Sequence, residues 1–167
     1  MPTPDHLFFW NEKPESDGPG RGCLSQWWPS AFTDDGHRYD TAEHYMMAHK
    51  AWLFGDTEAA DRILASGHPR NAQKLGRQVR GYTQDGWEAA RLAIVVRGNV
   101  LKFGQHPDLL EFLRSTSDRV LVEASPKDRI WGIGLAGDDP RAADPDAWLG
   151  LNLLGRALME ARAQLTA

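Results

Sequence analysis

Between Tyr39 and Asp56 the order of hydrophobic and polar residues, "YDTAEHYMMAHKAWLFGD", follows helical spacing. At about 100° per residue, Glu43, Met47, Lys50 and Phe54 fall on one narrow stripe, with Met46 beside them. The pattern predicts a helix from about Thr41 to Phe54, stopped at Gly55. An acid and a base between apolar side chains are unusual, because a buried face ordinarily excludes both charges. Asp40 with Glu43 three residues later also fits a capping box, which is the plain structural reading of the glutamate.

The other segments follow by the same signals. Leu7–Trp10 reads as a short strand, followed by the soft, Pro- and Gly-rich loop "NEKPESDGPGRG". Asp35-Gly36 between Phe32 and Tyr39 predicts a hairpin. A second helix starts at a cap on Asp56 or Thr57 and ends near Ser66. A third opens at Pro69 in "PRNAQKLGRQVRG". Asp85 and Glu88 suggest another capping box, opening a long helix to Gly104 with Trp87, Ala90, Ile94 and Leu101 in period. Pro107 starts "PDLLEFLRST". "RVLVEA" and "RIWGIGL" read as strands about the turn "SPKD", and a last helix begins near Leu151. The expected fold is mainly α: one domain over residues 1–167, an orthogonal helical bundle with a small antiparallel β element.

Composition narrows the classes. With 41% hydrophobic and 25% charged residues the chain is globular, and its net charge of −4 argues against strong non-specific attraction to nucleic acid or anionic membrane. One cysteine, Cys23, permits neither an intrachain disulfide nor a cysteine-only metal site. His44 and His49 are five apart, off the spacing of a helical metal pair, so neither a metal nor a cofactor is expected. No signal-type run and no membrane-length apolar run is present, so a cytoplasmic protein without a membrane partner is expected.

Read in order, "RYDTAEHYMMAHKAWLFGD", "AQKLGRQVRGY", "NVLKF", "LVEASPKDRIWGIGL" and "WLGLNLLGRALMEAR" resemble the YbiA-like, or NADAR, family from about Phe8 to Leu165. The chain departs from it at "LSQWWP", where the family usually shows "LSNFYP", so Gln26 lengthens an amide arm and Trp27 enlarges an aromatic. The resemblance implies an N-glycosidase that breaks a bond between ribose C1 and a heterocyclic amine. Its implied substrates are phosphoribosylaminouracil or phosphoribosylaminopyrimidine intermediates of riboflavin synthesis, with release of ribose 5-phosphate. Two other implied functions stand beside this: an ADP-ribosyl-guanine glycohydrolase acting on a nucleotide or nucleic acid, and a non-catalytic ADP-ribose- or NAD-binding module.

Such a cleavage develops positive charge at C1 and loads electrons onto the leaving nitrogen. It calls for a carboxylate, a proton for the leaving group and a placed water. Glu43 and Asp128 match the family's motifs as the carboxylates, with the capping box and a turn after Pro126 as their structural alternatives. Lys50 can hold Glu43 ionised, bind phosphate or form an adduct with an opened sugar, or simply snorkel along the core. The expected balance is a charged Lys50, with the nearby acid outweighing burial. Trp87 and Trp131 can stack on a flat heterocycle or be ordinary core aromatics. Asn152 can cap the last helix or bond sugar hydroxyls. Lys74 and Arg77, three apart, can converge on a phosphate or form part of a solvated basic face with Arg70 and Arg80.

Overall fold

The computed structural model describes residues 5–15 and 18–166. Its fold is mainly α: among the described residues there are six helices and two small two-stranded sheets. The chain gathers into two compact units, one from the segments before Gln26 and after His106, the other from Gln26–His106.

The Gln26–His106 unit opens with a hairpin of β1 (Phe32–Asp34) and β2 (His37–Tyr39). Asp35 and Gly36 take left-handed backbones, φ 51° and 81°, the pair of signs a type I′ turn demands. Four helices follow: α1 Ala42–Leu53, α2 Thr57–Ala65, α3 Pro69–Gly76 and α4 Gln84–Gln105. The third ends earlier than its sequence suggests. Asp56 caps α2 through the Ala59 N–H, and also accepts the Arg80 backbone N–H at 2.9 Å and its guanidinium at 3.2 Å. Those bonds hold the Asp56 carboxyl down to about 2. One carboxylate therefore fixes the chain between α3 and α4, just ahead of Tyr82.

The caps differ from the expected boxes. Thr41, in extended backbone, is the N-cap of α1, and its Oγ1 accepts the His44 N–H. Asp40 pairs with Arg38 instead. Thr83, not Asp85, caps α4 by accepting from Gly86, and Glu88 accepts from the Gln84 side chain. The buried face of α4 is also rotated from the apolar stripe expected: it carries Trp87, Arg91, Val95, Gly98, Asn99 and Lys102.

His44 ties the start of α1 to the end of α2. Its Nε2 donates to the Ser66 carbonyl at 2.8 Å, which leaves Nδ1 to accept from the Thr41 hydroxyl at 2.8 Å. Burial lowers the His44 pKa, and that of His49 likewise. The unfolded chain takes up protons below about 6.5 that the folded chain resists. Stability is then level above that value and falls as pH drops below it, until the depressed folded-state pKa is reached. Urea midpoints measured from about pH 7.5 to about pH 5 should trace this fall, and His44→Gln should flatten part of it. An unchanged slope in the variant would remove His44 as its source.

The other unit pairs β3 (His6–Phe9) with β4 (Val120–Glu123), a strand near the chain's start with one more than a hundred residues later. The ladder is parallel, with Leu7 opposite Leu121 and Phe9 opposite Glu123. Helices α5 (Pro107–Ser115) and α6 (Leu153–Thr166) complete it, α6 packing on β4. Val122, Ile133, Leu135 and Ala142 form a core cluster covered by Phe8, Val120 and Trp148. "RIWGIGL" is not a strand: Ile133 and Leu135 are buried, but the backbone N–H of Ile133 goes to Glu123 O and that of Gly134 to Asp128 O. Among the described residues the antiparallel sheet is thus the hairpin, beside an isolated antiparallel bridge between Glu15 and Gly18. In the loop after β3, Ser16 and Asp17 lie outside the described residues, and its far end winds into a 3₁₀ turn, Gly20–Leu24, that buries Cys23 completely.

Candidate active site

In the Gln26–His106 unit the α1 stripe faces inward, as its spacing predicts. Glu43 is 4% exposed, and Met46 and Met47 are buried with it. Since Thr41 is the cap, the third helical residue is His44, and Glu43 does not occupy the position a capping box needs. Its backbone N–H is taken by the Gln26 carbonyl at 3.0 Å. The Gln26 side chain is fixed in turn: its Oε1 accepts from Asn99 Nδ2 at 3.1 Å, and Asn99 Nδ2 also donates to Val95 O. The residue that departs from the family pattern is therefore anchored at both ends.

Helix α3 approaches α1 at Gly76, where an added Cβ would lie 2.0 Å from the Met47 sulfur. That approach brings the positive charge of Arg77 to bear on Lys50. The Lys50 ammonium lies 4.9 Å from the centre of the Tyr82 ring and 5.4 Å from that of Trp87. Burial lowers the Lys50 pKa; Glu43 opposes the shift and Arg77 adds to it. Desolvation is the larger of these effects, so the net shift is downward although the acid opposes it. The half-buried amine gives up its proton more readily than a surface lysine does.

Tyr82 escaped the sequence reading. It is exposed, its ring packs edge-on against Phe54 at 5.5 Å, and its hydroxyl donates to Gln84 Oε1. Arg91 escaped it too, although it lies one turn beyond Trp87 on the buried face of α4. Lys74 and Arg77 stand exposed on and just after α3. Trp87 is buried.

Asp128, Trp131 and Asn152 belong to the other unit. Asp128 Oδ1 accepts the N–H groups of Ile130 and Trp131, both at 2.9 Å, which is the turn geometry its position after Pro126 suggests. Trp131 is half-buried, and its carbonyl accepts from Leu154. Asn152 is buried with a left-handed backbone, φ 52°. Its side chain is no helix cap: Oδ1 accepts from Glu123 N and Nδ2 donates to Leu121 O, both at 3.0 Å. It braces β4 on both sides of Val122. Among the described residues no group of three His, Cys, Asp or Glu side chains is placed to hold a metal ion, and no helix is long and apolar enough to cross a membrane.

Chemically, the Gln26–His106 unit offers a buried carboxylate, a half-buried amine whose pKa burial lowers and which lies near two aromatic rings, and cations beside it. Comparison with known proteins gives three findings. The NADAR domain family matches residues 8–166. Among curated relatives, an N-glycosidase of Acanthamoeba polyphaga mimivirus is 38% identical over 98% of each chain. The chloroplastic riboflavin biosynthesis protein PYRR of Zea mays is 34% identical over 76% of this chain and 20% of its own length. The N-glycosidase YbiA of Escherichia coli is 32% identical over 78% of this chain and 73% of its own. The NMR structure of E. coli YbiA superposes with a TM-score of 0.77 at 28% identity, covering 99% of this chain and 88% of that one.

Proposed function

We propose that this chain, which belongs to the NADAR domain family and is an N-glycosidase, hydrolyses a phosphorylated ribosyl-amine of the kind met in riboflavin synthesis. The observation that carries this reading is the placement of Glu43, buried, outside any capping box, and acting electrostatically on a Lys50 held between Tyr82 and Trp87. The name of the maize relative supports the substrate.

In this reading the heterocycle stacks on Trp87, and the C1–N bond breaks with its electron pair passing to the leaving nitrogen. Glu43 steadies the positive charge at C1 and takes a proton from the attacking water. Lys50, with its lowered pKa, delivers a proton to the leaving nitrogen. Lys74 and Arg77 attract the phosphate from the rim. Asp128 and Trp131 keep the roles that the resemblance assigns, second carboxylate and second stacking ring. With Asp128 Oδ1 occupied by the turn, any proton it handles falls to Oδ2. Asn152 holds β4 in place rather than reaching for the sugar.

Purified protein incubated with a phosphoribosylaminopyrimidine should release ribose 5-phosphate. Faster release of ADP-ribose from ADP-ribosyl-guanosine would favour the second reading, which the exposed cations Arg70, Lys74 and Arg77 support. Absence of both products would leave a binding module. The role of Lys50 has its own check: borohydride added during turnover should leave the mass of the intact protein unchanged. A sugar-sized increase on Lys50, absent in Lys50→Arg, would replace water attack with a Schiff-base route.

A further inference from the structure

We infer that Asn99 is a positioning residue for Glu43, acting through Gln26. The inference rests on the reading of Glu43 as the catalytic carboxylate. Glu43 lies in the first turn of α1, where a backbone N–H has no partner within its own helix. The hydroxyl of Thr41 answers the N–H of His44, and the carbonyl of Gln26 answers that of Glu43 at 3.0 Å. The place of Gln26 therefore sets the turn from which the Glu43 side chain leaves. Asn99, completely buried on α4, holds Gln26 by a 3.1 Å bond from its Nδ2 to Oε1.

Two features separate this bond from ordinary core packing. The first is the orientation of the amide. Asn99 Nδ2 also donates to the Val95 carbonyl at 2.9 Å, one turn back on α4. A carbonyl only accepts, so the nitrogen must face it, and Gln26 must then offer its oxygen. The arrangement leaves Asn99 Oδ1 buried and, among the described residues, without a hydrogen-bond partner. An unanswered acceptor lowers stability, and asparagine is a poorer helix former than leucine. An apolar side chain would suit the interior of α4 better, but it could not bond Gln26.

The second feature is the close approach of α4 to α1 at the neighbouring residue. A Cβ on Gly98 would lie 2.7 Å from Cδ1 of Tyr45, a buried residue of α1. Gly98 thus sets the separation of the two helices, and Asn99 sets the turn that carries Glu43. Trp87 stands in the first turn of the same α4. The ring proposed to stack on the heterocycle and the carboxylate proposed to act at C1 are therefore referred to one helix.

Backbone amide exchange in the whole protein, beside turnover of a phosphoribosylaminopyrimidine, tests this. Asn99→Leu and Gln26→Met remove the bond from opposite sides. In either variant the Glu43 amide should exchange about tenfold faster or more, while the His44 amide, held by Thr41, keeps its rate. Alongside, kcat should fall on the order of tenfold to a hundredfold with KM within about twofold, because a displaced carboxylate fails mainly in the transition state. The double variant should be no slower than the slower single one, since both act through one bond. A purely structural Asn99 would instead lower the melting temperature and leave the kcat of the folded enzyme alone. Should Asn99→Leu fold poorly, Gln26→Met leaves α4 untouched and carries the test.

An unchanged Glu43 amide in both variants, or losses of kcat that multiply in the double variant, would overturn the inference. If no N-ribosyl compound is cleaved but exchange quickens at Glu43 and not at His44, the enzymatic reading fails and Asn99 remains the residue that holds this turn.

Discussion

Glu43→Gln should lower kcat about 10²–10⁴-fold, the range that a general acid or base contributes, while the fold survives. The substitution keeps the shape of the side chain and removes its charge. Because Thr41 supplies the α1 cap, losing that charge does not open the helix end. The carboxylate also interacts with the dipole of α1, worth about 0.3–1 kcal/mol, and acts electrostatically on Lys50. Removing a charge from a site only 4% exposed offsets part of even that. Glu43→Asp retains the charge on a shorter arm, and so separates the need for a carboxylate from the need for its position. Initial rates with a phosphoribosylaminopyrimidine, beside a thermal melt, decide the matter. Near-normal turnover together with a clearly lowered melting temperature would make Glu43 a structural residue.

Gly155→Ala should be among the most damaging single changes outside the candidate site. Glycine inside a helix ordinarily costs about 0.5–1 kcal/mol relative to alanine, so propensity alone predicts stabilisation. Here contact wins. A Cβ at Gly155 would lie 2.0 Å from the Leu121 carbonyl and 2.5 Å from Asn152 Nδ2. Neither can yield cheaply, since Leu121 O is strand backbone and Asn152 is bonded to β4 at both ends of its amide. Overpacking of this kind costs about 3 kcal/mol, a fall of roughly 6–12 °C for a chain of this size. Gly137→Ala is the control, because its Cβ would meet only Ala124 and Phe8 at 3.6 and 3.7 Å. Equal melting temperatures for the two variants would refute the close-approach account.

The parts of the fold that depend on neighbours in sequence were legible. Asp35-Gly36 announces its turn, and the 3.6-residue period of "TAEHYMMAHKAWLF" places Glu43 and Lys50 on an inward face before any coordinates. Caps were harder. Asp40 and Thr41 are both competent, and the choice lies in a backbone dihedral that composition does not specify. Strand pairing was harder still: β3 and β4 are far apart in sequence, so no local pattern reveals that they run parallel. "RIWGIGL" has the composition of a strand because Ile133 and Leu135 enter a core, but no ladder receives its backbone. Arg91 was hidden by phase. The expected stripe of Trp87, Ala90, Ile94 and Leu101 leaves it to one side, whereas the buried face runs from Trp87 through Arg91 to Val95.

The parallel pairing of β3 with β4 also bears on the order in which the chain can assemble. As a polypeptide grows from its amino end, all of Gln26–His106 is made before any residue of β4. That stretch contains its own hairpin and four mutually packed helices, so its contacts can close while synthesis continues. His6–Phe9 has no such option. It must wait, with Leu7 and Phe9 uncovered, until Val120–Glu123 arrives, and then close a loop of more than a hundred residues. Strand β3 is thus made before Gln26–His106 and paired only after it. During that interval its unpaired edge is open to chaperones, or to the same strand of another nascent chain.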